Sequence, residues 1–238
     1  MPTILCIETG SNVCSVALGN KQGILGVKEV CDEKAHSSLL NVLINDLCNE
    51  KKITLPEIDA VAVSKGPGSY TGLRIGVSMA KGICYAISKP LIAVGSLESM
   101  VYGIDDYINV NQFGREEVFL CPMIDARRME VYTALFNFQK HPLTEVKALV
   151  VDGSTFESRL KSKKVVFFGN GAAKCREVIS NTNAMFVDDF SPSARFMLPL
   201  AMLAYEEKDF KDVAYFEPFY LKNFVAVKGK NKVLPSQK

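Results

Sequence analysis

The sequence predicts an α/β protein of two lobes, each built in the order βββαβα. Three observations carry that prediction. Short β-type runs open the chain, joined by turn-rich connectors ("GSN", "NKQ") that leave room only for antiparallel pairing. A helix-period segment, a buried apolar run and a second helix-period segment follow them. The same order then recurs in the second half, with no sequence identity visible between the halves.

The first unit runs from "TILCIET" (3–9) through "VCSVALG" (13–19) to "GILGVKEV" (23–30), all β-type. In "EKAHSSLLNVLINDLCNEKK" (33–52), Leu39, Leu40, Leu43, Ile44 and Leu47 share one helical face. "DAVAVS" (59–64) reads as a buried strand and "SYTGLRIGVSMAKGICYAIS" (69–88) as a helix that stops before Lys89-Pro90. In the second unit, "EVFLCPMID" (117–125), "EVYTALF" (130–136) and "EVKALVV" (145–151) read as strands. "GSTFESRL" (153–160) reads as a short helix capped by Ser154, "KVVFFG" (164–169) as a strand and "AAKCREVIS" (172–180) as a helix. A last helix starts at Ser191-Pro192-Ser193, and Pro199 is expected to kink or divide it. The expected lobes are 1–100 and 101–227, with a basic, flexible tail at 228–238.

Composition narrows the function. The 238 residues carry 28 Lys plus Arg against 26 Asp plus Glu, a net charge of +2 that gives no basis for gripping RNA unaided. The seven cysteines are scattered in apolar runs without a C-x-x-C pair, so buried thiols are expected rather than a metal or redox site. No basic, apolar leader and no stretch near the ~20 apolar residues of a membrane span is present, so no membrane role and a cytoplasmic location are expected.

"GPGSYTGLRIG" (66–76) is the stretch richest in glycine. It misses both nucleotide loops. Leu73-Arg74 follows where a P-loop needs lysine and a hydroxyl residue, and the Rossmann spacing fails after Gly68. It fits a strand-to-helix turn at Pro67-Gly68 with Ser69 or Thr71 as the cap, whose amides remain candidates for an anion. Gly72, Gly76 and Ala80 then recur every four residues, a spacing that admits a close neighbour. That neighbour is either the protein's own core or a partner's helix.

Other chemistry is sparse. His36 and His141 form no metal motif, and a capping or surface role is expected for His36. No G-x-S-x-G is present. Glu8, at the end of the first strand, is either a solvated carboxylate or an approach to metal-bound phosphates. Arg127 either clamps an anion or pairs with Asp125 or Glu130. Glu8, Gly68, Ser69 and Arg127 are therefore the candidate nucleotide or anion contacts; no catalytic residue, metal ligand or cofactor is assigned.

Taken together, "ILCIETGSNVCSVAL", "AVAVSKGPGSYTGLRIGVSMAKGI", "IDARRMEVY", "FGNGA" and "EPFYLKNFVA" resemble the bacterial TsaB family, also called YeaZ, from Ile4 to about Ala226. The resemblance implies an actin-like (ASKHA) fold and a part in making N6-threonylcarbamoyladenosine in tRNA. It implies a non-catalytic dimerisation subunit that pairs with the catalytic subunit TsaD, is joined by the ATPase TsaE, and meets tRNA only through the complex. The family's docking surface lies on the two N-terminal helices. Leu39, Leu43, Leu47, Tyr70, Leu73, Gly76, Val77 and Ala80 are accordingly expected to form one exposed apolar patch that pairs with TsaD, or with a second copy when the chain is alone. Gly76→Leu is then expected to break the complex and spare the fold. The family usually has aspartate at Glu8 and phenylalanine at Tyr70; the longer acid counts against a nucleotide site. The competing reading is an independent enzyme of the same superfamily, an ATP-dependent kinase or a metallopeptidase-like protein.

Overall fold

The computed structural model describes residues 1–31, 36–109 and 118–222. The tail expected at 228–238, and the first residues of the runs predicted at 33–52 and 117–125, lie outside them.

β1 (Ile4–Glu8), β2 (Val13–Asn20) and β3 (Gly23–Cys31) form an antiparallel meander, with Ile4 opposite Gly19 and Glu8 opposite Ser15. β1 is apolar without alternation up to Glu8 because both of its faces are covered. α1 (His36–Lys51) lays Leu40, Leu43, Ile44 and Leu47 on one face of the sheet. β4 (Ala60–Gly66) then pairs parallel to β1, and α2 (Tyr70–Ile87) returns over the same face. Ser69 caps α2 as expected, its Oγ accepting from the Gly72 amide at 3.3 Å.

β5 (Leu91–Gly95) pairs parallel to β4 and completes the order β3-β2-β1-β4-β5. The second sheet contains β6 (Val118–Asp125), β7 (Glu130–Thr133), β8 (Lys147–Val150), β9 (Lys164–Phe168) and β10 (Ala184–Phe186). Its order, β8-β7-β6-β9-β10, repeats the first sheet strand for strand, including which pairs are parallel. The duplication read from element order is therefore present in the strand pairing.

The structure corrects several boundaries. The repeat is one strand longer than βββαβα. β5 and β10 were missed because each is a short apolar run without alternation, legible only once a neighbouring strand is known. α3 (Ser96–Gly103), after β5, was missed with it. The helix read at 172–180 is the single turn α5 (Ala172–Cys175). α4 (Glu157–Leu160) starts later than expected, because Ser154 does not cap it: its amide and hydroxyl both donate to Asp152 Oδ1. The division expected at Pro199 is found, as a 3₁₀ turn at Ala194–Met197 gives way to α6 (Leu198–Glu207). Proline in a first turn sacrifices no hydrogen bond.

Two helices cross between the sheets. Leu97, Met100 and Val101 of α3 sit in the core of the second sheet, with Leu120, Phe136 and Phe168. Leu198, Ala201 and Met202 of α6 cover the far face of the first, against Ile4, Cys6, Ala62 and Ile92.

Candidate functional site

Helix α2 organises the site, and its two sides do different things. Its glycine side lies on the turn that follows β1. A Cβ on Gly72 would stand 2.0 Å from the Thr9 carbonyl oxygen, and one on Gly76 2.2 Å from Thr9 Oγ1. Thr9 Oγ1 donates to the Gly72 carbonyl at 2.8 Å, and the Ser69 amide donates to the Gly10 carbonyl at 2.7 Å. The close neighbour that the glycines admit is the protein's own first turn.

The expected exposed patch is overturned by the same contacts. Leu43, Leu47, Val77 and Ala80 are buried in the core under the first sheet, Leu73 and Gly76 are buried beside the turn after β1, and Leu39 is half-buried. Of the residues expected at an interface, Tyr70 alone lines the open side of α2. There a groove of 810 Å³ runs along the helix, lined among others by Thr71, Ile75, Ser78, Met79, Gly82 and Ala86, with Ser37 of α1 and Leu55 beside them. Ser78, Gly82 and Ala86 again recur every four residues, and a Cβ on Gly82 would meet nothing within 4 Å. The row at 72, 76 and 80 faces inward, and the row at 78, 82 and 86 has the same spacing on the open side. The sequence reading passed over this outward row of small residues at 78, 82 and 86, with Ile75 and Met79 beside them and no acidic residue in the helix.

The end of the groove carries aromatic rings. Tyr70 packs on Tyr220 with centroids 4.7 Å apart, and the Arg74 guanidinium lies 5.4 Å from the Tyr70 ring. Tyr220 arrives on a segment strapped across α2, where Lys81 Nζ donates to the Ala214 and Phe216 carbonyls at 3.1 and 3.0 Å. The Phe219 amide donates to the Lys65 carbonyl at 2.7 Å.

Three of the four candidate anion contacts meet behind α2. Glu8 is not solvated: it is 1% exposed, and its Oε1 accepts from the Gly10 amide at 2.5 Å and from Ser64 Oγ at 3.1 Å. Its Oε2 is buried and has no hydrogen-bond partner among the described residues. Burial pushes the Glu8 carboxyl above the ordinary range, against a smaller pull downward from the Gly10 amide, Ser64 and His36. Gly68 is wedged over Gly10, where a Cβ would stand 2.3 Å from the carbonyl oxygen. Glu8, Gly68 and Ser69 thus lock one turn to one helix. His36 is buried rather than on the surface, with Nε2 3.2 Å from the Val13 carbonyl oxygen. Arg127 stands apart, exposed on the turn between β6 and β7.

A carboxyl whose folded pKa is raised favours folding while protonated, and that contribution is lost as pH rises through the folded value. Glu8→Gln keeps the acceptor and removes the charge. It is expected to melt a few degrees above the unsubstituted protein at pH ~8, with the two converging near pH ~4. Parallel melting curves at every pH would show that Glu8 is already stable as the anion.

Among the described residues, no cluster of three His, Cys, Asp or Glu is arranged to hold a metal, and no helix is long and apolar enough to cross a membrane.

Comparison with known proteins places this geometry. A family model described as TsaD, tRNA N6-adenosine threonylcarbamoyltransferase, matches residues 17–229. A protein of Escherichia coli (strain K12) named tRNA threonylcarbamoyladenosine biosynthesis protein TsaB is 30% identical over 231 residues, 94% of this chain and 96% of its own length. A tRNA N6-adenosine threonylcarbamoyltransferase of Syntrophobacter fumaroxidans is 29% identical over 171 residues, covering 68% of this chain and 47% of its own length. The solved structure of YeaZ from Pseudomonas aeruginosa superposes with a TM-score of 0.74 at 24% identity, covering 93% of this chain and 100% of that one. The shared fold is α/β, actin-like and two-lobed.

Proposed function

The chain belongs to the TsaB/YeaZ family of tRNA threonylcarbamoyladenosine biosynthesis proteins, and from that premise we propose that it is the non-catalytic scaffold subunit of the threonylcarbamoyl-transferring complex. In this reading it pairs with a TsaD-type catalytic subunit, is joined by a TsaE-type ATPase, and works in the cytoplasm, where tRNA is modified. The groove on the open side of α2 carries the proposal. It is apolar, is rimmed by Tyr70 and Arg74, and has small residues in a row where another helix can approach. Tyrosine and arginine beside an apolar centre are the residue types on which binding energy concentrates.

The opposite side of α2, where a nucleotide-binding enzyme of this architecture would need open amides and an accessible acid, holds a sealed Glu8 and a Ser69 amide bonded to Gly10. His36 faces the Val13 carbonyl, and the His141 backbone amide donates to Asn137 Oδ1.

Light scattering tests the proposal. The purified chain, mixed with the TsaD-type subunit of the same organism, is expected to form a one-to-one complex, drawn from a homodimer if the free chain occupies its groove with a second copy. A chain that ignores that subunit and turns over ATP alone would replace this reading with the kinase.

A further inference from the structure

We propose that the turn between β6 and β7 is a contact for the phosphate backbone of RNA, made by the guanidinium groups of Arg127 and Arg128, consecutive residues of that turn. Asp125 and Glu130 are the acids nearest to them in sequence, and both are engaged from elsewhere. Lys174 holds Asp125, and Lys222 holds Glu130. Lys174 Nζ also donates to the Glu130 carbonyl at 2.7 Å. Arg127 meets Asp125 only through its backbone amide, at 2.8 Å. Both arginines are exposed, and among the described residues neither side chain has an ion-pair partner.

The turn that carries them is held in place. The Ala126 amide donates to the Glu130 carbonyl at 3.0 Å, and the Glu130 amide to the Arg127 carbonyl at 3.1 Å. The Asp125 amide donates to Asn170 Oδ1 at 3.0 Å, tying the turn to the loop after β9. Beside it, Lys222 Nζ lies 5.7 Å from the centroid of the half-buried Tyr132 ring.

Two unneutralised guanidinium forks on a fixed turn match the oxygens of phosphate groups. A free nucleotide needs a concave site that buries its base, and the groove along α2 does not include the turn. An exposed tip binds weakly per phosphate, so it serves a long polyanion held at several points. That the RNA is a tRNA rests on the function proposed above; the phosphate contact does not.

The test is a titration of a fluorescently labelled, unmodified tRNA transcript with the full chain, followed by anisotropy between ~20 and ~150 mM salt. Arg127→Glu with Arg128→Glu is expected to weaken binding about tenfold or more at low salt and to lower the salt slope by about two. Arg127→Lys with Arg128→Lys is expected to keep the slope. Should the charge reversal lower the melting temperature, Arg127→Gln with Arg128→Gln reads the same slope without repulsion. An unchanged affinity and slope, or a chain that binds no transcript at ~20 mM salt, overturns the proposal. So does saturable one-to-one displacement by ATP or inorganic phosphate, which would make the ligand a small phosphate. Pairing with the catalytic subunit is scored separately by light scattering, so its failure strikes the scaffold and leaves the salt slope standing.

Discussion

Gly76→Leu is expected to lower the melting temperature by on the order of 10 °C, damaging the fold rather than an interface. The new Cβ would stand 2.2 Å from Thr9 Oγ1, and three further carbons would follow it into the seam between α2 and the first turn. Thr9 cannot step aside cheaply, because its hydroxyl donates to the Gly72 carbonyl at 2.8 Å. Overpacking of this kind costs about 3 kcal/mol or more when neither wall yields, and a chain of this size loses roughly 2–4 °C per kcal/mol. Thermal melting followed by circular dichroism reads the loss. A Gly76→Leu protein that melts normally yet no longer pairs would restore the exposed-patch reading and reverse the orientation of α2 argued here.

Gly82→Trp is expected to do the opposite: leave the melting temperature unchanged or slightly higher, and weaken pairing with the catalytic subunit about a hundredfold. Gly82 is exposed, and its added Cβ meets nothing within 4 Å, so the fold has room for the indole. Losing a helical glycine gains up to about 1 kcal/mol of helix propensity. The groove loses the close approach that Ser78, Gly82 and Ala86 allow, and a hundredfold change corresponds to about 2.8 kcal/mol. Isothermal titration with the partner measures it. Wild-type affinity in this variant would remove the groove from consideration as the docking surface.

The contrast between these two glycines marks where reading the sequence stops. Strand runs, helix periods and the Ser69 cap are local properties, so they were legible. Which side of α2 faces inward is not, because both rows of small residues satisfy the same spacing. The choice is made by Thr9 and Gly10; Thr9, which donates to the Gly72 carbonyl, lies 63 residues from it. Arg127 shows the same limit. Its two neighbouring acids looked like its partners until Lys174 and Lys222, 49 and 92 residues away from them, proved to hold those acids. The sequence left Glu8 between a solvated carboxylate and an approach to phosphates; its burial follows from the covering of both faces of β1, which no local pattern shows.

The crossing of α3 and α6 has a consequence for how the chain is made. The ribosome delivers β1 through β5 long before α6, so Ile4, Cys6, Ala62 and Ile92 emerge without the helix that will cover them. At ~5–20 residues per second, the first sheet waits on the order of ten seconds for its second layer. During that interval its uncovered face is a surface for chaperones and for other nascent chains. Newly made protein should therefore be most prone to aggregate while the second lobe is still being translated.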